Sequence, residues 1–372
     1  MLACLGAGLA VAGAWLVTRP DRTPSPVSHG SLCPDLAARG NDAARIVIKK
    51  AGAEVVIERR DAGWTVASKG GYPASRDQVI DLVRALADAT LLEERTSKPE
   101  LYGRLRVEDP DGAGAASTMV RVEDASGGVM ASVIVGNAQP LGDDQGFYTR
   151  RMGEARSYLA SGAVRAEADP LAWVQRTITE LRNERVRSAR VRHPEGEIHV
   201  HRARASEQVF VLDGVPEGRE LRDEYVMTRL AWALSYITFD DVAPAGSMTL
   251  DPAGALVMET RCFDGLLVTV RQWKVDGATW ITLAAAFEAP PAPPADEGAA
   301  SAPVTAPSAD LQAEIDRLNA AWSPWVYKIP EYKATVLRSV MEDFLKPATP
   351  TTPTTPATPA AEGDVSRDDD AP

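Results

Sequence analysis

His199-Val200-His201 places two imidazoles on one face of a strand, because side chains alternate with a period of two. Such a pair is half of a zinc site, yet zinc takes three or four ligands. The one further candidate is His193, which a hairpin turn at Pro194-Glu195-Gly196 could bring towards His199 or His201. The histidines read as exposed strand residues, and no metal ligand is assigned. Adjacent carboxylates occur at Asp143-Asp144 and Asp240-Asp241. Neighbours on a strand point apart, whereas an acid/base pair needs shared geometry and shifted pKa values, so these read as surface residues. Arg182, Arg185, Arg187, Arg190 and Arg192 lie within one run. Their spacing fits the solvated face of a strand, with recognition of an anionic partner or acidic lipid as the alternative.

No GxSxG, HExxH, Walker, GxGxxG or CxxC motif occurs. Three cysteines (Cys4, Cys33 and Cys262) and four scattered histidines give no basis for a nucleophilic triad, and Cys33 and Cys262 read as two free thiols. No catalytic, cofactor-binding or metal residue follows, so the expected chemistry is that of contact. Trp322, Trp325, Tyr327 and Tyr332 fit it, a dense cluster in a chain with 6% aromatic residues. Trp and Tyr concentrate at interaction hot spots, which makes the cluster a candidate partner-binding surface. The competing reading is a clamp that holds the C-terminal helix on the second sheet.

Short strands and few helices must position these residues. From Ala44, the stretches ARIVIKKAG, AEVVIERRDAG and GWTVAS read as three strands. YPASRDQVIDLVRALADAT reads as a helix capped by Ser75, with Val79, Leu82, Val83 and Leu86 on one stripe. Hairpins follow around Ser126-Gly127-Gly128 and Gly153. The second half repeats the order, and Leu230, Ala233, Leu234 and Thr238 stand 148 positions after Leu82, Ala85, Leu86 and Thr90. The expected fold is α+β: two tandem β-β-β-α-β-β repeats, antiparallel sheets with helices on one face. The turn Gly70-Gly71-Tyr72-Pro73 gives way to GVPEG, Gly214 to Gly218, in the second copy. A phosphate cradle needs its glycines at fixed positions before a helix N-terminus. The turn therefore reads as scaffold.

The expected boundaries are a first repeat at 44–165, a second at 166–288 and a Pro/Ala-rich linker at 289–310. A C-terminal helical segment, 311–346, should pack on the second repeat, ahead of a disordered Pro/Thr/Asp tail at 347–372. A chain of 372 residues is long enough for two modest domains, and a net charge of −12 argues against a nucleic-acid partner. Residues Met1 to Val17 are apolar and stop at Arg19, Pro20 and Arg22. A spanning helix needs roughly 20 such residues, so 1–18 is expected to be an N-terminal membrane helix or a signal segment. The absence of a small-x-small cleavage site beside it favours the anchor. Residues 19–43 then read as a linker, and the soluble part as extracytoplasmic.

Taken in order, several short stretches resemble the bacterial family catalogued as domain of unknown function 4340. They are GWTV with YPA before a helix, KPELYG with VEDP between Lys98 and Pro110, VIVGN before GFYTRR, ADPLAWVQRTI from Ala168 to Ile178, and the closing WVYKIPEYKATVL with MEDFL. The resemblance covers 44–345 apart from the Pro/Ala insertion. It implies a single-anchor extracytoplasmic protein that assists ABC-type transporter or gliding-motility subunits, and the family supplies no catalytic residue. The function expected is a non-catalytic, membrane-tethered accessory protein that works through protein contacts, with a transporter permease as the partner. The alternatives are a ligand-binding protein with a pocket between the repeats and, third, an envelope hydrolase.

Overall fold

The structure, a computed structural model, describes residues 29–194, 196–223, 225–291 and 305–347. The expected membrane segment at 1–18 and most of the Pro/Ala linker and C-terminal tail lie outside these. Among the described residues no helix is long and apolar enough to cross a membrane.

The first half opens with a short helix, α1 (Pro34–Arg39). Three strands follow, β1 (Ala43–Lys50), β2 (Ala53–Arg60) and β3 (Gly63–Val66). Period-two alternation turns Ile46 and Ile48 to the core, where they stand opposite Ile57 and Val55. The β1–β2 hairpin closes at Ala51-Gly52, both with positive φ, the left-handed pair that a two-residue turn requires. A two-residue strand, β4 (Tyr72–Pro73), leads into α2 (Arg76–Asp88). Val79, Leu82 and Leu86 form the buried stripe of α2. Ser75 holds the N-cap position, but its side chain makes no capping bond; its backbone N–H donates to Trp173 O at 2.7 Å.

The half is completed by β5 (Leu91–Glu94), a one-turn α3 (Tyr102–Leu105), β6 (Thr118–Asp124), β7 (Val129–Leu141), β8 (Asp144–Arg151) and β9 (Ser157–Ser161). Nine strands pair antiparallel in the order β4-β3-β2-β1-β6-β7-β8-β9-β5.

The second half contains β10 (Thr177–Thr179), β11 (Val186–His193), β12 (Gly196–His201), β13 (Val211–Leu212), α4 (Val226–Ala231), β14 (Ile237–Thr238) and β15 (Asp241–Pro244). It continues through β16 (Leu256–Cys262), β17 (Leu266–Val275), β18 (Ala278–Phe287), α5 (Ala309–Trp322), β19 (Trp325–Ile329) and α6 (Glu331–Leu337). Its main sheet runs β13-β12-β11-β16-β17-β18-β19-β15, and β10 pairs with β14 apart from it. Without β4, the first sheet has the same order of hairpins, inserted strand and closing strand. Each sheet also has a register irregularity at the start of its first long strand, between Ala43 and Arg45 on β1 and between Val186 and Ser188 on β11. The mixed α+β class, with antiparallel sheets and few helices, is as the sequence indicated.

Three boundaries differ from the sequence reading. The described part of 19–43 is folded: Leu32, Cys33 and Leu36 are buried, and α1 packs on α2 and β7. Pro and Gly made this stretch look like a tether, but two leucines at helical spacing are enough to seat it. The second half also extends past 288, because β19 inserts between β18 and β15; without it β15 would have no neighbour in the sheet. The segment 311–346 is thus a helix, a sheet strand and a helix. Finally, α4 spans six residues where α2 spans thirteen. Beyond α4, Ile237, Thr238 and Phe239 are extended and pair with the chain at 176–179, as Thr90 and Leu91 pair with Ser31 and Gly30 after α2.

Candidate functional site

The Gly70-Gly71-Tyr72-Pro73 turn ties the halves together. Tyr72 is buried, and its ring lies 5.4 Å from Phe239 and 4.9 Å from Trp325, edge-on to both, with Tyr327 at 6.4 Å. Such offset arrangements are the favoured ones for aromatic rings. Lys69 Nζ reaches Asp241 Oδ1 at 2.6 Å. Gly70 has φ +67°, and a Cβ there would stand 2.3 Å from Pro244 Cγ, so only glycine allows the approach. Ala74 bridges to Val174, and Trp173, from the ADPLAWVQRTI stretch, is buried beside it. One hydrophobic core runs through both halves across this contact.

The aromatic cluster read from sequence therefore divides. Trp325 and Tyr327 receive Tyr72. Trp322, the last residue of α5, is buried, and its Nε1–H donates to Ile178 O at 3.1 Å. Tyr332 alone is fully presented to solvent, at 66% exposure. Trp322 and Tyr327 are thus not on offer to a partner in this structure. Burial pushes the Tyr327 hydroxyl well above its usual range.

Most of the titratable candidates pair off, whereas Arg187 Nε is buried without a hydrogen-bond partner. His199 Nδ1 donates to one oxygen of Asp213 at 2.7 Å, and His201 Nε2 to the other at 3.1 Å, with the rings stacked. These bonds, that from His199 first, hold the Asp213 carboxyl below its ordinary value. His193 turns elsewhere, its Nε2 donating to Ser339 O at 2.8 Å. Among the described residues no group of three or more His, Cys, Asp or Glu could hold a metal ion. Asp240 pairs with Arg176 and Asp241 with Lys69, so these neighbours do point apart. Arg185 is held bidentate by Glu314 and by Asp264, while Arg192 is held by Glu259 and Arg190 by Glu197. Cys33 and Cys262 are free and buried, and burial pushes both thiols up to about 12, which makes them poor nucleophiles.

A surface that sequence reasoning missed lies between α4 and α6. Exposed large apolar side chains concentrate on the second half: Val209, Val211, Tyr225, Tyr236, Tyr332 and Val340, against Val129 and Met152 on the first. Tyr225, Thr228, Trp232, Lys333 and Val336 line a groove of about 500 Å³ there. Trp232 Nε1 and Thr228 Oγ1 are buried at the groove without a hydrogen-bond partner. Burial lowers the Lys333 ammonium below its usual value. An apolar channel with two idle donors and a desolvated cation suits a chain segment that brings an apolar anchor and a carbonyl or carboxylate. Alternation in YVMTRLAWALSY hides the groove from sequence, since its walls come from two distant helices.

The remaining motifs are structural. Gly136 of VIVGN allows the backbone at Leu105 to lie against β7, where a Cβ would meet Leu105 O at 2.3 Å. Arg150 of GFYTRR stacks over Tyr102 and donates from Nε to Val107 O at 2.8 Å. This clasp covers the second face of the first sheet around Ile134.

Two antiparallel sheets of one strand order, joined through an aromatic clasp, define a scaffold of the α+β class. The chain belongs to the family described as Domain of unknown function (DUF4340), whose model matches residues 64–255. No curated protein and no solved structure matches it.

Proposed function

We propose that this chain is a non-catalytic accessory protein, tethered to a membrane by residues 1–18 on the extracytoplasmic side, that binds a subunit of an ABC-type transporter or gliding-motility complex. The observation that carries the contact role is the α4–α6 groove, where Trp232 Nε1 and Thr228 Oγ1 are buried and unpartnered, exposed Tyr225 lines one wall, and exposed Tyr332 stands next in the chain to the lining residue Lys333. A non-catalytic reading is supported by the way His193, His199, His201, Asp240, Asp241 and the arginines at 185, 190 and 192 are committed to partners. The matching sheet orders support origin by duplication of one module.

The test is site-specific photocrosslinking in membranes that contain the full-length chain. A photoreactive residue at Tyr332 should give one discrete adduct with a membrane subunit, and Trp232→Phe should weaken capture by about tenfold, the scale of a hot-spot hydrogen bond. Equal adducts from Tyr332 and from exposed Arg84 on α2 would sink the proposal.

A further inference from the structure

The halves differ where one helix is missing. In the first half, Gly30 O accepts from Leu91 N, the chain turns through α1, and β1 begins at Ala43 with Leu36 fully buried above. The entry recurs in the second half, where Arg176 O accepts from Phe239 N and Thr177 stands opposite Thr238 as Ser31 stands opposite Thr90. Then the six residues 180–185 take the place of the nine at 34–42, and they form a single 3-10 turn at Asn183–Arg185. α1 packs on β7, and the counterpart of β7 by strand order is β17. Above β17 there is an open cleft of about 410 Å³. Leu266, Val268 and Leu234 form its floor and side, and Leu318 and Trp322 of α5 its roof. Leu234 matches Leu86 of the α2 stripe, and both are buried.

The cleft has the marks of a binding site. Its size is within the range of small-molecule pockets. Thr179 is 6% exposed, lines the wall, and its Oγ1 is buried without a partner. Native proteins rarely leave such a hydroxyl idle. The roof is fixed: Asn319 exchanges two 2.8 Å bonds with the Ala285 backbone, and Trp322 bonds Ile178 O. At the mouth, Arg185 is neutralised by Glu314 and Asp264, and one further charge of each sign, Glu180 and Arg317, lines the cleft. The charges named at the rim sum to one negative, which disfavours an anion, and Leu266, Val268, Leu318 and Trp322 supply the apolar part of the walls.

We infer that the cleft between β17 and α5 binds a small, uncharged, mainly apolar molecule carrying one hydrogen-bonding group, with Thr179 Oγ1 as its polar partner. The inference is independent of the α4–α6 groove. It is tested with N-phenyl-1-naphthylamine, an uncharged two-ring probe with one N–H, titrated into the protein and followed by fluorescence. The expected result is saturable one-to-one binding, weakened at least tenfold by Val268→Phe or by Leu318→Trp, each of which fills the cleft from a different side. Thr179→Val, which keeps the shape and removes the hydroxyl, should weaken binding by about threefold to tenfold, the scale of one hydrogen bond, with the thermal midpoint unchanged or raised. The sulfonated analogue 1-anilinonaphthalene-8-sulfonate should bind at least tenfold more weakly. Non-saturating fluorescence, undiminished affinity in a cleft-filling variant that melts like the parent, or equal affinity for the sulfonate would overturn it.

Discussion

Tyr72 stands on a two-residue strand of the first half with its ring among Phe239, Trp325 and Tyr327 of the second. Tyr72→Ala should cost about 3 kcal/mol, the usual loss for removing a buried aromatic side chain, whereas Tyr72→Phe should cost under about 1 kcal/mol because the ring contacts remain. Urea denaturation of both variants measures this. Glu331 gives a second residue-scale prediction. Bonds from Arg338 first and Lys274 second lower its carboxyl to about 2 from 4.5. A depressed carboxyl adds stability that is fully present above its ordinary value and lost as pH falls through its folded one. Glu331→Gln should therefore melt lower than the parent at pH 6, and the gap should close between pH 4.5 and about 2; a gap constant across that window would remove the ion pair from the account. Of the aromatic cluster singled out by type, Tyr332 alone is exposed, since aromatic spacing carries no information about which ring a distant turn will cover.

Elements show why α2 was legible and α1 was not. Thirteen residues with one apolar stripe announce α2 by themselves. Six residues cannot, for an isolated helix that short is unstable in water and forms only through what it packs on. Leu36 supplies that packing for α1. Leu36→Ala should cost about 3 kcal/mol, measured by chemical denaturation, where a tether residue would cost nothing. Likewise β19 falls within the segment read as helical, and pairing with β15 and β18 makes it part of the sheet. Gly136→Val should displace the segment at Leu105 and detach the Tyr102–Arg150 clasp, seen as faster amide exchange at Val107 with the β1–β2 hairpin unaffected.

At the scale of the whole molecule, one hydrophobic core passes through both sheets. The halves should therefore unfold together, as a single calorimetric transition whose van't Hoff and calorimetric enthalpies agree. A double variant, Lys69→Ala with Tyr72→Ala, removes the clasp and should separate the trace into two transitions; two transitions in the parent itself would show that the clasp does not couple the halves. The asymmetry between the halves matters more for function than their likeness. The first buries α1 over β7, and the second leaves a cleft over β17 and displays the groove between α4 and α6.

The sequence by itself determined the α+β class, the alternating strands, the hairpin at Ser126-Gly127-Gly128 and the stripe of α2, because each depends on residues within a few positions of one another. Tertiary structure decided the rest. That Tyr72 would enter a cage from the other half, that β19 would close a sheet with β15, and that a shorter connection at 180–185 would open a cleft all depend on contacts between residues far apart in the chain. Local periodicity specifies which face of an element is apolar, but the surface that covers it is chosen by packing among all the elements at once.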